Sequence, residues 1–250
     1  MRTRPLVIAH RGNSGVAPAN TLIAIRQAIE LGVDMIEIDI NLTKDDIPVL
    51  IHDESIEHTT NGKGSVSSLT LAELKQLDAG SWKSKQFAGE RIPTLSEALE
   101  VAKGRVYLAV DLKNERTIPE MLKVIQDTGM KDDVVICGCD VPAAQKVRRF
   151  DDQMTIVLSM DSELKELAQR EDKSEFIRKY VRQACYAHLG ALNVNYKHVN
   201  EDLIKRAHLK AIPVWTWTVD EKEDMRRLID LGVDAIYTNW PERLLNILSI

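Results

Sequence analysis

The sequence predicts an α/β chain folded as a (β/α)8 barrel of the TIM type. Three observations predict it. Eight short apolar runs recur along the chain, at residues 6–9, 35–40, 106–112, 134–137, 155–158, 191–194, 212–217 and 235–238. Amphipathic segments of helical period lie between most of them, the alternation of a parallel sheet. The length, 250 residues, accommodates eight such strand–helix units.

In chain order, the first run leads into His10-Arg11-Gly12. Asn20 is then a candidate N-cap for a helix with Leu22, Ile25 and Ile29 on one face, ending near Gly32. The second strand reads Met35-Ile36-Glu37-Ile38-Asp39-Ile40. A ninth apolar run, 47–51, breaks the count. Only Thr43-Lys44-Asp45-Asp46 separates it from the second strand, too few residues for a parallel crossover and enough for a hairpin. It should therefore fold back antiparallel and return His52 beside the carboxylates of strand two. Residues 53–91 follow as an excursion above the barrel, with the turn-rich Thr59-Thr60-Asn61-Gly62-Lys63-Gly64 and a helix over 71–77. The whole of 1–250 reads as one barrel domain with this insertion. The later strands end in Asp111-Leu112-Lys113-Asn114, Trp215-Thr216-Trp217 and Tyr237-Thr238-Asn239.

Composition narrows the class. Hydrophobic content of 44% and charged content of 28% exclude disordered and collagen-like chains. The net charge of −5 carries no nucleic-acid footprint. No apolar run approaches the ~20 residues of a membrane span, and Leu6 to Ala9, after Met1-Arg2-Thr3-Arg4-Pro5, is too short for a signal-peptide core. The three cysteines, Cys137, Cys139 and Cys185, are an odd count without a second metal pair. They read as buried or inert thiols in a reducing, cytoplasmic setting.

Active sites of such barrels lie at the C-terminal strand ends. Glu37 and Asp39 alternate with isoleucines, so both carboxylates share one face while the isoleucines pack against helices. Two like charges in a barrel mouth are costly, and a divalent cation relieves both desolvation and repulsion. Oxygen-only ligation suits Ca²⁺, Mg²⁺ or Mn²⁺; the competing reading pairs one acid with a nearby Arg or Lys. Asp111 could complete a three-carboxylate site. Lys113 could hold an anion there, or form a structural Asp–Lys pair. Arg11 adds a planar donor fork suited to phosphate. Cations beside a metal site point to a phosphate ester. His10 and His52 are then the candidate acid and base, which residue takes which part being left open. His58, His188, His198 and His208 follow no comparable pattern and read as surface or packing residues.

Together these residues resemble the glycerophosphodiester phosphodiesterase family. The matching text is His10-Arg11-Gly12, Pro18-Ala19-Asn20-Thr21, Glu37-Ile38-Asp39, Thr43-Lys44-Asp45, His52-Asp53, Thr59-Thr60-Asn61-Gly62-Lys63-Gly64 and Gly89-Glu90-Arg91-Ile92-Pro93-Thr94-Leu95. It continues with Val214-Trp215-Thr216-Trp217-Thr218-Val219 and the run from Gly232 through Tyr237-Thr238-Asn239-Trp240-Pro241. The match covers most of residues 6–113 and 190–245; the region 140–187 carries no shared motif.

The resemblance implies a TIM-type barrel that hydrolyses glycerophosphodiesters to glycerol 3-phosphate and an alcohol. It implies one divalent cation at Glu37, Asp39 and Asp111, an acid–base pair at His10 and His52, phosphate held by Arg11 and Lys113, and a glycerol pocket lined by Trp217. The chain departs from the family pattern at Asp111 and Ala19, where the family usually has Glu. Two other readings compete. A lysophospholipase D-like enzyme needs an apolar path, for which the excursion offers Leu69, Leu71, Leu74, Leu77, Trp82 and Phe87; these also suit a packing face of the excursion itself. A non-catalytic phosphodiester-binding protein would fit the two departures. Either way the expected partner is a small-molecule diester, with no nucleic acid and no stable membrane insertion.

Overall fold

The apolar runs are rich in β-branched residues, and each is short and bounded by turn residues, so they form strands. The computed structural model describes residues 4–249; Met1 to Thr3, the start of the stretch read for a signal core, and Ile250 lie outside the described residues. The strands are β1 (Leu6–His10), β2 (Met35–Leu42), β3 (Pro48–Leu50), β4 (Tyr107–Leu112), β5 (Val134–Cys139), β6 (Thr155–Ser159), β7 (Ala191–Asn195), β8 (Val214–Trp217) and β9 (Ala235–Thr238). They hydrogen-bond in the order β1-β9-β8-β7-β6-β5-β4-β2-β3, and β1 also pairs with β2. That last pairing closes a parallel barrel of the (β/α)8 type. β3 stands outside it, antiparallel to β2 with Leu50 opposite Ile40, as the short 43–46 spacer predicts.

The helices are α1 (Leu22–Glu30), α2 (Leu71–Leu74), α3 (Leu95–Ala102), α4 (Ile118–Thr128), α5 (Val141–Phe150), α6 (Ser162–Leu167), α7 (Ser174–Tyr186), α8 (Glu201–His208), α9 (Lys222–Leu231) and α10 (Pro241–Leu248). Two local expectations need correction. The N-cap of α1 is Thr21, whose side chain accepts from the Ala24 amide, and not Asn20. Asn20 instead takes a left-handed backbone with φ 59°, which frees its amide for the barrel. The helix expected over 71–77 stops at Leu74. Its start is fixed by a Thr70/Glu73 capping box, but the carbonyls of Gln76 and Leu77 turn out to the Arg91 guanidinium.

The period-two pattern of β2 sorts its side chains. Ile36, Ile38 and Ile40 belong to the core layer between barrel and helices, the core that also takes Leu95 and Leu99 of α3. Glu37 and Asp39 take the opposite face and are also buried. The barrel interior is filled by Ile8, Met35, Ala109, Cys137, Val157, Ala191, Trp215, Ala235 and Tyr237.

The excursion leaves and rejoins the barrel at one point. The Leu50 amide bonds to the Pro93 carbonyl at 2.8 Å, and Val49 bridges Thr94. It has a core of its own around Ile56, Val66, Leu74 and Ile92, against which Leu69, Leu71 and Leu77 pack. Phe87 packs instead on Ala17 and Ala24, and only Trp82 of the apolar set stays largely exposed, at 43%. Among the described residues, no helix is long and apolar enough to cross a membrane.

Candidate active site

The barrel places its ionisable residues at the mouth because each follows or ends a strand. A cavity of about 200 Å³ is lined by His10, Arg11, Glu37, His52, Asp111, Lys113 and Trp217. Asp39 is fully buried beside it. All eight site residues read from the sequence are thus brought together.

The carboxylates of Glu37, Asp39 and Asp111 offer oxygens within 4.8 Å of one another. Burial, then the charges of Asp39 and Asp111, hold the Glu37 carboxyl well above the usual carboxylate range. Burial also raises Asp111. At Asp39 burial acts the same way, but Lys113 and Arg11 overcome it and bring the group down to about 2. Lys113 Nζ lies 2.8 Å from both Asp39 Oδ1 and Asp111 Oδ2. Arg11 Nε lies 2.9 Å from Asp39 Oδ2, at ion-pair distance but off the hydrogen-bond line. Three oxygen donors this close, two held against ionisation by burial and like charge, fit a hard divalent cation.

The first loop ties these acids down. Arg11 and Asn20 both have φ of 59°, and the Asn20 amide donates to the Arg11 carbonyl. The Arg11 amide donates to Glu37 Oε2 at 2.9 Å. Asn20 Nδ2 donates to Asp39 Oδ2 at 2.8 Å, and its Oδ1 accepts from the Asp39 amide. Asp111 is accommodated by a gap in β5. A Cβ on Gly138, whose φ is +75°, would stand 1.9 Å from Asp111 Oδ1. The register of β5 against β6 shifts at this place.

The two histidines sit in different surroundings. His10 Nδ1 lies 2.8 Å from Asn239 Oδ1. The Asn239 amide is oriented by Asp220, whose Oδ2 accepts from its Nδ2 at 2.7 Å. A carboxylate only accepts, so Asn239 must turn its oxygen to His10. Burial, aided by Arg11, lowers the His10 pKa to about 4. His52 Nδ1 instead faces the Asp53 carboxylate at 2.5 Å, and the other Asp53 oxygen is 3.2 Å from His58 Nδ1. These hydrogen bonds, that from His52 foremost, hold Asp53 below the usual carboxylate range. The backbone carbonyls of Ile51 and His52 both accept from Asn41 Nδ2, which fixes the segment on β2.

Sequence reading missed Asp220, Gly138 and the reach of Asn20 to Asp39. Asn239 stood within a recognised motif, and only the closure of β9 onto β1 brings it to His10. The remaining histidines are peripheral, with His208 on Asp234 and His198 edge-on to Phe176. Cys137 and Cys139 are buried and Cys185 is half-buried; burial pushes Cys139 up to about 12 and raises Cys137 as well.

A (β/α)8 barrel with acids, cations and two histidines at its mouth has the constitution of a phosphoric diester hydrolase. The sequence profile of the glycerophosphoryl diester phosphodiesterase family matches residues 10–243, and the chain belongs to that family. It is 36% identical over 250 residues to a glycerophosphodiester phosphodiesterase of Caldanaerobacter subterraneus subsp. tengcongensis, covering 98% of each chain. It is 31% identical over 258 residues to a glycerophosphodiester phosphodiesterase of Bacillus subtilis, covering 96% of this chain and 85% of the other. An Oleispira antarctica phosphodiesterase, solved in complex with the product sn-glycerol-3-phosphate, superposes with a TM-score of 0.86. That pair is 28% identical, with 99% of this chain and 98% of the other covered.

Proposed function

We propose that the chain hydrolyses glycerophosphodiesters to sn-glycerol 3-phosphate and an alcohol, acting as one barrel domain with an insertion over residues 53–91. The observation that carries this reading is the convergence of two histidines, three acids and two cations on one small cavity. The product bound in the Oleispira relative supports the same reaction. Glu37, Asp39 and Asp111 would hold one divalent cation, Ca²⁺, Mg²⁺ or Mn²⁺, which when bound supplies charge stabilisation to the phosphoryl group.

The remaining chemistry belongs to the chain. Arg11 and Lys113 hold the phosphate, and Trp217 lines the glycerol end. His10, neutral at physiological pH and protonated on Nδ1 toward Asn239, presents the lone pair of Nε2. It takes the proton of the glycerol 2-hydroxyl, whose oxygen attacks phosphorus as the bond to the leaving alcohol breaks. His52, backed by the Asp53 carboxylate, gives its proton to that alcohol. Water then opens the cyclic phosphate with the two roles exchanged. Phosphorus NMR at early times tests this route, since direct attack by water yields no cyclic species.

The test of the activity is glycerol 3-phosphate release from glycerophosphocholine and glycerophosphoethanolamine. Metal-stripped protein is assayed with each cation restored. No release with any cation, from protein shown to be folded, overturns the reading. The leucines of the excursion are occupied by its own core, so that segment does not favour an acyl chain as in a lysophospholipase D. Three unpaired cysteines support a reducing, cytoplasmic location.

A further inference from the structure

Two polar side chains deep in the barrel have no use in the chemistry described so far. Asn193 of β7 is 6% exposed and Tyr237 of β9 is 2% exposed. Both line the same cavity as the acids and the two histidines. Asn193 Oδ1 is buried with no hydrogen-bond partner among the described residues. The Tyr237 hydroxyl is likewise unpaired by ordinary donors and acceptors, its neighbour being the Cys137 thiol, a weak hydrogen-bonding group. Ser159 stands beside Asn193 in the β6–β7 register and lines the same cavity. Buried polar groups in folded proteins are nearly always paired, and leaving them unpaired lowers stability. Leucine and phenylalanine would fill these two places without that loss.

We propose that Asn193 and Tyr237 form a hydroxyl-recognition subsite that reads the free primary hydroxyl of the glycerol moiety. The inference rests on the diesterase reading above and adds to it the feature of the substrate that is selected. The chemistry of the pair favours a neutral hydroxyl over an ion. Asn193 Oδ1 accepts, the Tyr237 hydroxyl donates, and one alcohol group can do both in return. The primary hydroxyl takes no part in attack on phosphorus, so recognition at this point is separate from reactivity at the 2-hydroxyl. A substrate without it leaves two buried polar groups unpaired, which a site cannot accept cheaply.

The test compares glycerophosphocholine with the phosphocholine diester of propane-1,2-diol, which lacks only the primary hydroxyl and keeps the attacking one. The expected kcat/KM ratio for the parent is about 10–100-fold in favour of glycerol, the scale of one or two buried polar groups left unpaired. In Asn193→Leu and in Tyr237→Phe the glycerol substrate should lose most of that advantage, while the deoxy substrate is turned over as before. Thermal stability gives a second readout. A merely structural polar residue lowers Tm when removed, whereas these variants should match or exceed the parent. Equal turnover of both diesters by the parent overturns the proposal, and would mean that water fills the partnership. So would a variant that loses both substrates alike or unfolds at lower temperature. Failure of the parent on both diesters would instead remove the diesterase reading itself.

Discussion

Asn239 Oδ1 lies 2.8 Å from His10 Nδ1, although 229 residues separate them in the chain. The contact exists because β9 pairs with β1, and its polarity is set by Asp220, which accepts from both the Asn239 side-chain amide and its backbone amide. Asp220→Asn removes the reason for that orientation. The Asn239 amide could then turn its nitrogen to His10 and select the other tautomer. Turnover should fall by as much as the ~10²–10⁴-fold that a general base supplies, with cation affinity unchanged. Nitrogen NMR of the His10 ring reads the tautomer directly. An unaltered tautomer would refute the orienting role.

His10→Ala and His52→Ala should each lower kcat by about 10²–10⁴-fold. The double variant should lose little beyond the worse single one, since the two act in the same steps. Rates within a few-fold of the parent in both single variants would refute the acid–base assignment.

The acidic cluster predicts a strict cation requirement. Chelation should abolish turnover, and Ca²⁺, Mg²⁺ or Mn²⁺ should restore it. Glu37→Gln should weaken binding of the restoring cation in a calorimetric titration, by about 10-fold or more if that ligand is lost. Gly138→Ala should act in the same direction, because a methyl group there collides with Asp111 Oδ1. Unchanged cation affinity in Glu37→Gln would exclude that residue as a ligand.

Asp78 predicts a pH effect confined to the excursion. The backbone amides of Ser81, Gly89 and Gly80 converge on its carboxylate and hold it far below the usual range. A carboxyl depressed in the folded state contributes stability above its unfolded pKa of about 3.9 and loses that contribution as pH falls from there toward the folded value. Protection of the Gly80, Ser81 and Gly89 amides, read as exchange relative to the free-peptide rate at the same pH, should therefore be high at neutral pH and decline below about pH 4. Asp78→Ala should show the low protection at every pH.

The fold was legible in the sequence because its signals are local. β-Branched runs broken by turns mark strands, and a four-residue spacer can only be a hairpin. The acids were legible because the alternation of Ile36, Glu37, Ile38 and Asp39 sorts faces within one strand. What escaped depends on closure. Asp220 sits in a loop without periodicity, and it matters only once β8 and β9 bring it beside Asn239. Asn20 has the chemistry of an N-cap, and nothing local says that Thr21 takes that place while Asn20 reaches across to Asp39. Gly138 looks like any turn glycine until Asp111 of the neighbouring strand leans over it.

The excursion leaves and rejoins the barrel at neighbouring residues. The Leu50–Pro93 bond and the Val49–Thr94 bridge hold the ends of this segment together, and closure entropy rises only slowly with the length of chain between them. Asn41 secures His52 from the barrel side of the junction, whereas Glu54 and Ser67, on the far side, line a second cavity that adjoins His52 and Lys113. The segment is also held away from its ends: Phe87 packs on Ala17 and Ala24, Lys83 Nζ donates to the Ser14 carbonyl, and Asp53 backs His52. Exchanging residues beyond Asp53, Glu54 and Ser67 foremost, would remodel the approach to the phosphate while the acids and cations stay on the barrel strands and Asp53 stays on His52.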